Sequence, residues 1–166
     1  MKNAINTVTT PEGSASQQAD APKFGFSRIL APTDFSQNSD RAVGYAIQLA
    51  QRLGAKLTLL HIVPEASALD YSMGGVSIEE IEGWQQEAEK RLAKQLTQAK
   101  LEYQEVDSVR RTALHPRDEI VKAATDLPAD LLVISTHGYT GWKHVLFGSD
   151  AEKIIEHAPC PILVVR

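Results

Sequence analysis

Residues 57–63 read Leu57-Thr58-Leu59-Leu60-His61-Ile62-Val63 (LTLLHIV). A strand with one wet face alternates apolar and polar residues, whereas this run is apolar at nearly every position. That is the pattern of a strand covered on both faces, as in a parallel sheet with crossover helices. The flanking sequence supplies such helices. Upstream, RILAP at 28–32 reads as a first strand. Ala42, Val43, Ala46, Ile47, Leu49, Ala50 and Leu53 then recur at helical spacing, and Gly54 closes that helix. Downstream, residues 64–76 carry Gly74 and Gly75 and read as a loop. Ser77 with Glu80 forms a capping box for a long helix to about Lys100. Trp84, Ala88, Leu92, Leu96 and Ala99 trace its apolar stripe, expected to be core. Gly83 inside that helix costs about 1 kcal/mol relative to alanine.

A third strand falls at 106–113, short and polar, with Asp107, Arg110 and Arg111, which suits a sheet edge. Pro116 opens a further helix with Ile120, Val121 and Ala124. LLVI at 131–134 is a fourth strand. Gly148-Ser149 opens a helix with Ala151, Ile154 and Ile155, and PILVV at 161–165 is a fifth strand. Strands alternating with helices predict an α/β, Rossmann-like fold, a five-stranded parallel sheet with helices on both faces. Right-handed crossovers put the loops after strands one, two and four along the carboxyl edge. Ligands of such sheets sit there, at the switch point beside the first strand. The positions to interrogate are Thr33-Asp34, His61-Ile62 and Ser135 onward.

Composition bounds the function. The 166 residues are 43% hydrophobic and 23% charged, with a net charge of −4, which suits one globular domain. The charge argues against non-specific binding to nucleic acid or an anionic membrane, and no apolar run is long enough to span a bilayer. One cysteine, Cys160, excludes an intrachain disulfide and a cysteine-built metal site. It points to a reducing, cytoplasmic setting and reads as a small buried side chain. Residues 1–24 are polar and aperiodic, without the apolar run of a secretory signal, and are expected to be a disordered extension to a domain at 25–166.

No P-loop, G-x-G-x-x-G, G-x-S-x-G or H-E-x-x-H pattern is present. After strand four stands STHGYTGWKHVLFGS, Ser135 to Ser149, in which Gly138 and Gly148 enclose nine residues. Exposed N–H groups at a helix start, a hydroxyl and glycines make an anion site. A plain turn and N-cap account for Gly148-Ser149 equally well.

The blocks Pro32-Thr33-Asp34-Phe35-Ser36, Leu59-Leu60-His61-Ile62-Val63, Ser135-Thr136-His137-Gly138 through Gly148-Ser149, and Ala158-Pro159-Cys160-Pro161-Ile162-Leu163-Val164-Val165 together resemble the universal stress protein family. The resemblance implies strand order 3-2-1-4-5, a homodimer and, in one branch, ATP binding. It implies that Pro32, Thr33, Asp34 and Ile62 border the adenosine, and that Ser135, Gly138, Gly148 and Ser149 line the phosphate side, with Mg²⁺ as a companion. Three positions depart from the ATP-binding pattern. Ser135 replaces its first glycine, Leu114 replaces a glycine ahead of Pro116, and Asp150 sets a negative charge beside the phosphates, to be offset by Mg²⁺ or Lys143.

Each residue also has a plainer reading. Asp34 caps a helix or closes a turn, and His61 is a satisfied core histidine. His137 makes a structural hydrogen bond, Lys143 and His144 face solvent, and Trp142 with Phe147 anchors the loop. The resemblance implies a cytoplasmic nucleotide-binding protein of stress response or signalling. The alternatives are a nucleotide-free dimeric interaction module and a slow ATPase. No residue stands out as a catalytic base, and no metal cluster is apparent.

Overall fold

Ile29, Leu30 and Ala31 follow one another along the chain, and none is more than 1% exposed. Successive strand residues point to opposite faces, so their strand, β1 (Arg28–Pro32), is covered on both. The structure, a computed structural model, describes residues 25–65, 75, 77–135 and 149–166. The expected N-terminal extension and the stretch holding Gly138 and Gly148 lie outside these residues. After β1 come α1 (Gln37–Leu53), β2 (Lys56–Pro64), α2 (Ile78–Glu102), β3 (Val106–Ala113) and α3 (Pro116–Asp126). They are followed by β4 (Leu131–Ser135), α4 (Ser149–His157) and β5 (Ile162–Val165).

The strands form one parallel sheet in the order β3-β2-β1-β4-β5, as expected. Odd and even positions sort the core. Ile29, Ala31, Leu57, Leu59, Leu131 and Val133 pack with Ala42, Val43, Ala46 and Ile47 of α1 and Leu92 and Ala99 of α2. Leu30, Leu60, Ile62, Leu132 and Ile134 pack on the other face with Ile120, Ala123 and Ala124 of α3 and Ile154 of α4. Each fully buried side chain of this size is worth about 1.5–3 kcal/mol.

Polar groups fasten the margins. The Asp130 carboxylate accepts from the Ser27 amide and hydroxyl and from the Arg28 amide at 2.7–2.8 Å, tying the start of β1 to the start of β4. Burial pushes this carboxyl up, but those donors more than offset it and hold it below the usual range. On the edge strand β3, Arg111 donates to Glu119 at 2.7 Å and Asp126 at 2.9 Å, both on α3. The polar character of β3 thus serves its edge position.

Helix α2 starts as expected. The Ser77 hydroxyl accepts from the Glu80 amide at 3.1 Å, and the Glu80 carboxylate accepts from the Ser77 amide at 2.8 Å. Ala88, Leu92 and Ala99 are buried, but Trp84, expected in the core, is 47% exposed. The 25 residues of α2 span about 37 Å at 1.5 Å per residue, against about 30 Å for the nine of β2. The helix is longer than the strand, and among the described residues the burial of its apolar stripe begins only at Ala88.

Two glycines predict opposite responses to one substitution. A Cβ on Gly83 would meet nothing within 4 Å, so Gly83→Ala gains about 0.5–1 kcal/mol of stability. Gly54 ends α1 at φ +64 with its N–H on the Ala50 carbonyl, and Gly54→Ala loses about 1–2 kcal/mol. Urea unfolding midpoints should move in opposite directions, and shifts of the same sign would refute the account.

Candidate functional site

Because β2 and β4 flank β1 on opposite sides, the chain turns to opposite faces on leaving β1 and β4. In doubly wound sheets the ligand crevice falls at such a switch point, here the carboxyl edge beside β1. The ladder joining β1 to β4 holds Ile29↔Leu131 and Leu30↔Leu132, the shortest in the sheet.

The segment leaving β1 is built by short side chains. The Thr33 amide donates to the Leu60 carbonyl at 2.8 Å, extending the β1–β2 ladder by one residue. The buried Thr33 hydroxyl accepts from the Phe35 amide at 3.1 Å and lies 3.3 Å from the Ser39 hydroxyl. Asp34 Oδ1 accepts from the Ser36 amide at 3.0 Å, so Asp34 closes a turn. The cap of α1 is Ser36, whose hydroxyl accepts from the Ser39 amide at 3.2 Å. Phe35 between them sits at φ +61, left-handed backbone that costs a side-chain-bearing residue about 1–2 kcal/mol.

Two side chains from other elements hold Phe35. The His61 ring packs against it with centroids 4.2 Å apart, and the Arg91 guanidinium of α2 lies 4.7 Å from its centroid. Arg91 also points Nη2 at the Phe35 carbonyl, at 3.5 Å. His61 Nδ1 is 2.8 Å from the Thr33 carbonyl, which can only accept, so Nδ1 carries the proton and donates. The satisfied histidine foreseen at 61 is therefore also a strut of the site. Burial pushes this imidazole below its ordinary range, against smaller upward pulls from the Thr33 carbonyl and Asp34. Arg91 and Arg110 add to the lowering.

Pro32 is the last residue of β1, half-buried, and Thr33 is buried beside it. Ile62 is buried near the end of β2, within the cluster on the α3/α4 face. Ser135 ends β4, is 8% exposed, and pairs across from Val165. All of these lie on adjacent strands at one edge of the sheet. Ser149 is the first residue of α4. Gly138, Gly148, His137, Trp142, Lys143, His144 and Phe147 lie outside the described residues, as do the side chains of Ser149 and Asp150. Leu114 is 53% exposed in the turn before α3. Cys160 is half-buried, and burial pushes its thiol up, with Asp130 adding to the effect. Among the described residues, no three His, Cys, Asp or Glu side chains are grouped to hold a metal ion. No helix there is long and apolar enough to cross a membrane.

Sequence reasoning missed Phe35, Ser39 and Arg91. Ser39, a hydroxyl three residues after the cap Ser36, was a usable signal, whereas Arg91 carries none.

A parallel sheet of this order, with its crevice beside the central strand, defines a doubly wound α/β protein. Residues 25–166 match the model of the universal stress protein family, and the chain belongs to that family. It is 32% identical over 146 residues to a universal stress protein of Methanocaldococcus jannaschii, covering 85% of this chain and 82% of the relative. Universal stress protein G of Shigella flexneri is 33% identical over 144 residues, covering 85% and 99% of the two chains. The structure of the universal stress protein UspA from Lactobacillus plantarum superposes with a TM-score of 0.71 at 23% identity, covering 86% and 99%.

The lowered imidazole of His61 predicts a pH dependence. Its ordinary value is 6.5, so below that pH the unfolded chain binds a proton that the folded chain resists. The stability held by the neutral ring is present above that value and is lost as pH falls toward the lowered folded value. His61→Asn keeps an N–H donor for Thr33 without titrating. Between about pH 7 and pH 5, the ordinary range for histidine, the wild-type melting temperature should fall more steeply than that of His61→Asn. Equal slopes would mean that the ring is not held neutral.

Proposed function

We propose that this protein binds an adenine nucleotide, ATP with Mg²⁺, at the carboxyl edge of the sheet and acts in stress response or signalling in the cytoplasm. The observation that carries the reading is the reversal of strand order beside β1, with Thr33-Asp34 and Ser135 following or ending the adjacent strands β1 and β4 at the carboxyl edge and α4 beginning at Ser149. A helix start offers unpaired N–H groups and the positive end of its dipole to phosphate. In this reading Pro32, Thr33, Asp34 and Ile62 border the adenosine, while Ser135, Gly138, Gly148 and Ser149 take the phosphates. Mg²⁺ would arrive with the triphosphate, held mainly by phosphate oxygens.

Solved structures of the same fold lend support. A universal stress protein in complex with cAMP is 24% identical with a TM-score of 0.57. One from Archaeoglobus fulgidus in complex with dAMP is 22% identical with a TM-score of 0.62. An Arabidopsis thaliana family member with AMP bound is 17% identical with a TM-score of 0.54.

ATP with Mg²⁺ at about 100 times its dissociation constant should stabilise the fold by roughly 2.7 kcal/mol, a melting shift of roughly 5 to 10 °C. Gly148→Val should abolish the shift without unfolding the protein, because a side chain would fill the space a phosphate needs. Asp150→Ala should tighten binding by removing a negative charge. No shift for the wild type at millimolar ATP would overturn the reading.

The edge strand β5 favours a second reading, a nucleotide-free interaction module that pairs with its own copy. Leu163 and Val164 are 38% and 42% exposed there, and Ile155 of α4 is 56% exposed. An unpaired apolar edge invites a partner strand. Sedimentation should find a wild-type dimer at tens of micromolar, roughly, and a monomer for Val164→Asp. A monomeric wild type would remove this reading.

A further inference from the structure

We propose that Arg91 of α2 is a positioning residue for the crevice, acting through Phe35 without touching the ligand. The inference rests on the nucleotide reading for its functional readout and on the geometry of Phe35 for its mechanism.

Rotation of Phe35 to a negative φ swings everything that follows it. The Ser36 amide would leave Asp34 Oδ1, where it now sits at 3.0 Å, and the Phe35 carbonyl would leave Arg91 Nη2. A side-chain-bearing residue prefers that rotation, so the observed φ of +61 needs contacts that exist only in the left-handed form. Arg91 supplies two, its guanidinium 4.7 Å from the ring centroid and Nη2 at 3.5 Å from the carbonyl. His61 supplies the third, with its ring 4.2 Å from Phe35 and its Nδ1 on the Thr33 carbonyl at 2.8 Å. The cluster thereby locks Thr33 and Asp34, on either side of one peptide bond, into a single orientation at the crevice rim. A rim held in advance does not lose conformational freedom when the ligand binds. Arg91 is itself exposed, so its removal leaves no cavity in the core.

The test is a double-mutant cycle in the full chain: wild type, Arg91→Ala, Phe35→Gly and the pair. The readouts are the dissociation constant for ATP with Mg²⁺ by calorimetry and hydrogen exchange at the Phe35 and Ser36 amides. Arg91→Ala should weaken ATP binding about 3- to 6-fold and speed exchange at both amides, with the melting temperature nearly unchanged. Glycine adopts the left-handed backbone without a supporting ring. In the Phe35→Gly background only the contact of Nη2 to the carbonyl remains, so Arg91→Ala should change both readouts far less than it does in the wild type. An equal loss of affinity in both backgrounds would make Arg91 a direct contact to the nucleotide and overturn the proposal. Unchanged exchange in Arg91→Ala would overturn it as well. If the wild type binds no ATP, the nucleotide reading fails separately, and exchange at the two amides still decides whether Arg91 holds the turn.

Discussion

The two-sided burial of β1 is the constraint on which the remaining architecture depends. Ile29 and Ala31 face α1 and α2, and Leu30 faces α3 and α4. A strand covered in this way cannot stand at an edge, and its backbone needs a ladder on each side. Once β2 and β4 take those two sides, the chain must turn opposite ways on leaving β1 and β4. The crevice at the carboxyl edge is therefore a consequence of how the core is packed. A polar residue at Leu30 would disturb the hydrophobic layer and the site together.

At the mouth of that crevice the material changes from apolar side chains to hydroxyls and one carboxylate. Thr33, Asp34 and Ser36 direct their oxygens at nearby amides, and the Ser39 hydroxyl donates to the Ser36 carbonyl, so the turn into α1 satisfies its own polar groups. Such a turn has little bulk to hold it, and its stiffness comes from outside. The His61–Phe35–Arg91 cluster joins β2, the turn and α2 across one exposed rim. Mutation of a distant helix can thus reach the crevice through a single aromatic ring.

The sheet was legible because burial on two faces leaves a plain mark, the apolar run at 57–63, and because Ser77 and Glu80 announce a helix start chemically. The polar run 106–113 read correctly as an edge for the same reason: charge is tolerated where one side meets water. Trp84 was misplaced because helical periodicity says which face is apolar and not how far along the helix its burial extends. Thr33, Asp34 and Ser135 could be placed at one edge from topology alone. The left-handed turn at Phe35 could not, since the usual signals for that conformation are glycine and asparagine. Arg91 stands 56 residues from Phe35, and nothing local in the chain encodes their meeting.

The Asp130 carboxylate, tied to Ser27 and Arg28 at the opposite edge of the sheet, also has a mechanical meaning. A load applied to the chain ahead of Ser27 along the axis of β1 meets ladders to β2 and β4 that resist by sliding rather than by unzipping. The three bonds at Asp130 must yield before that sliding can begin. Tension applied in that direction meets these bonds at the amino edge first, at the opposite end of β1 from the crevice.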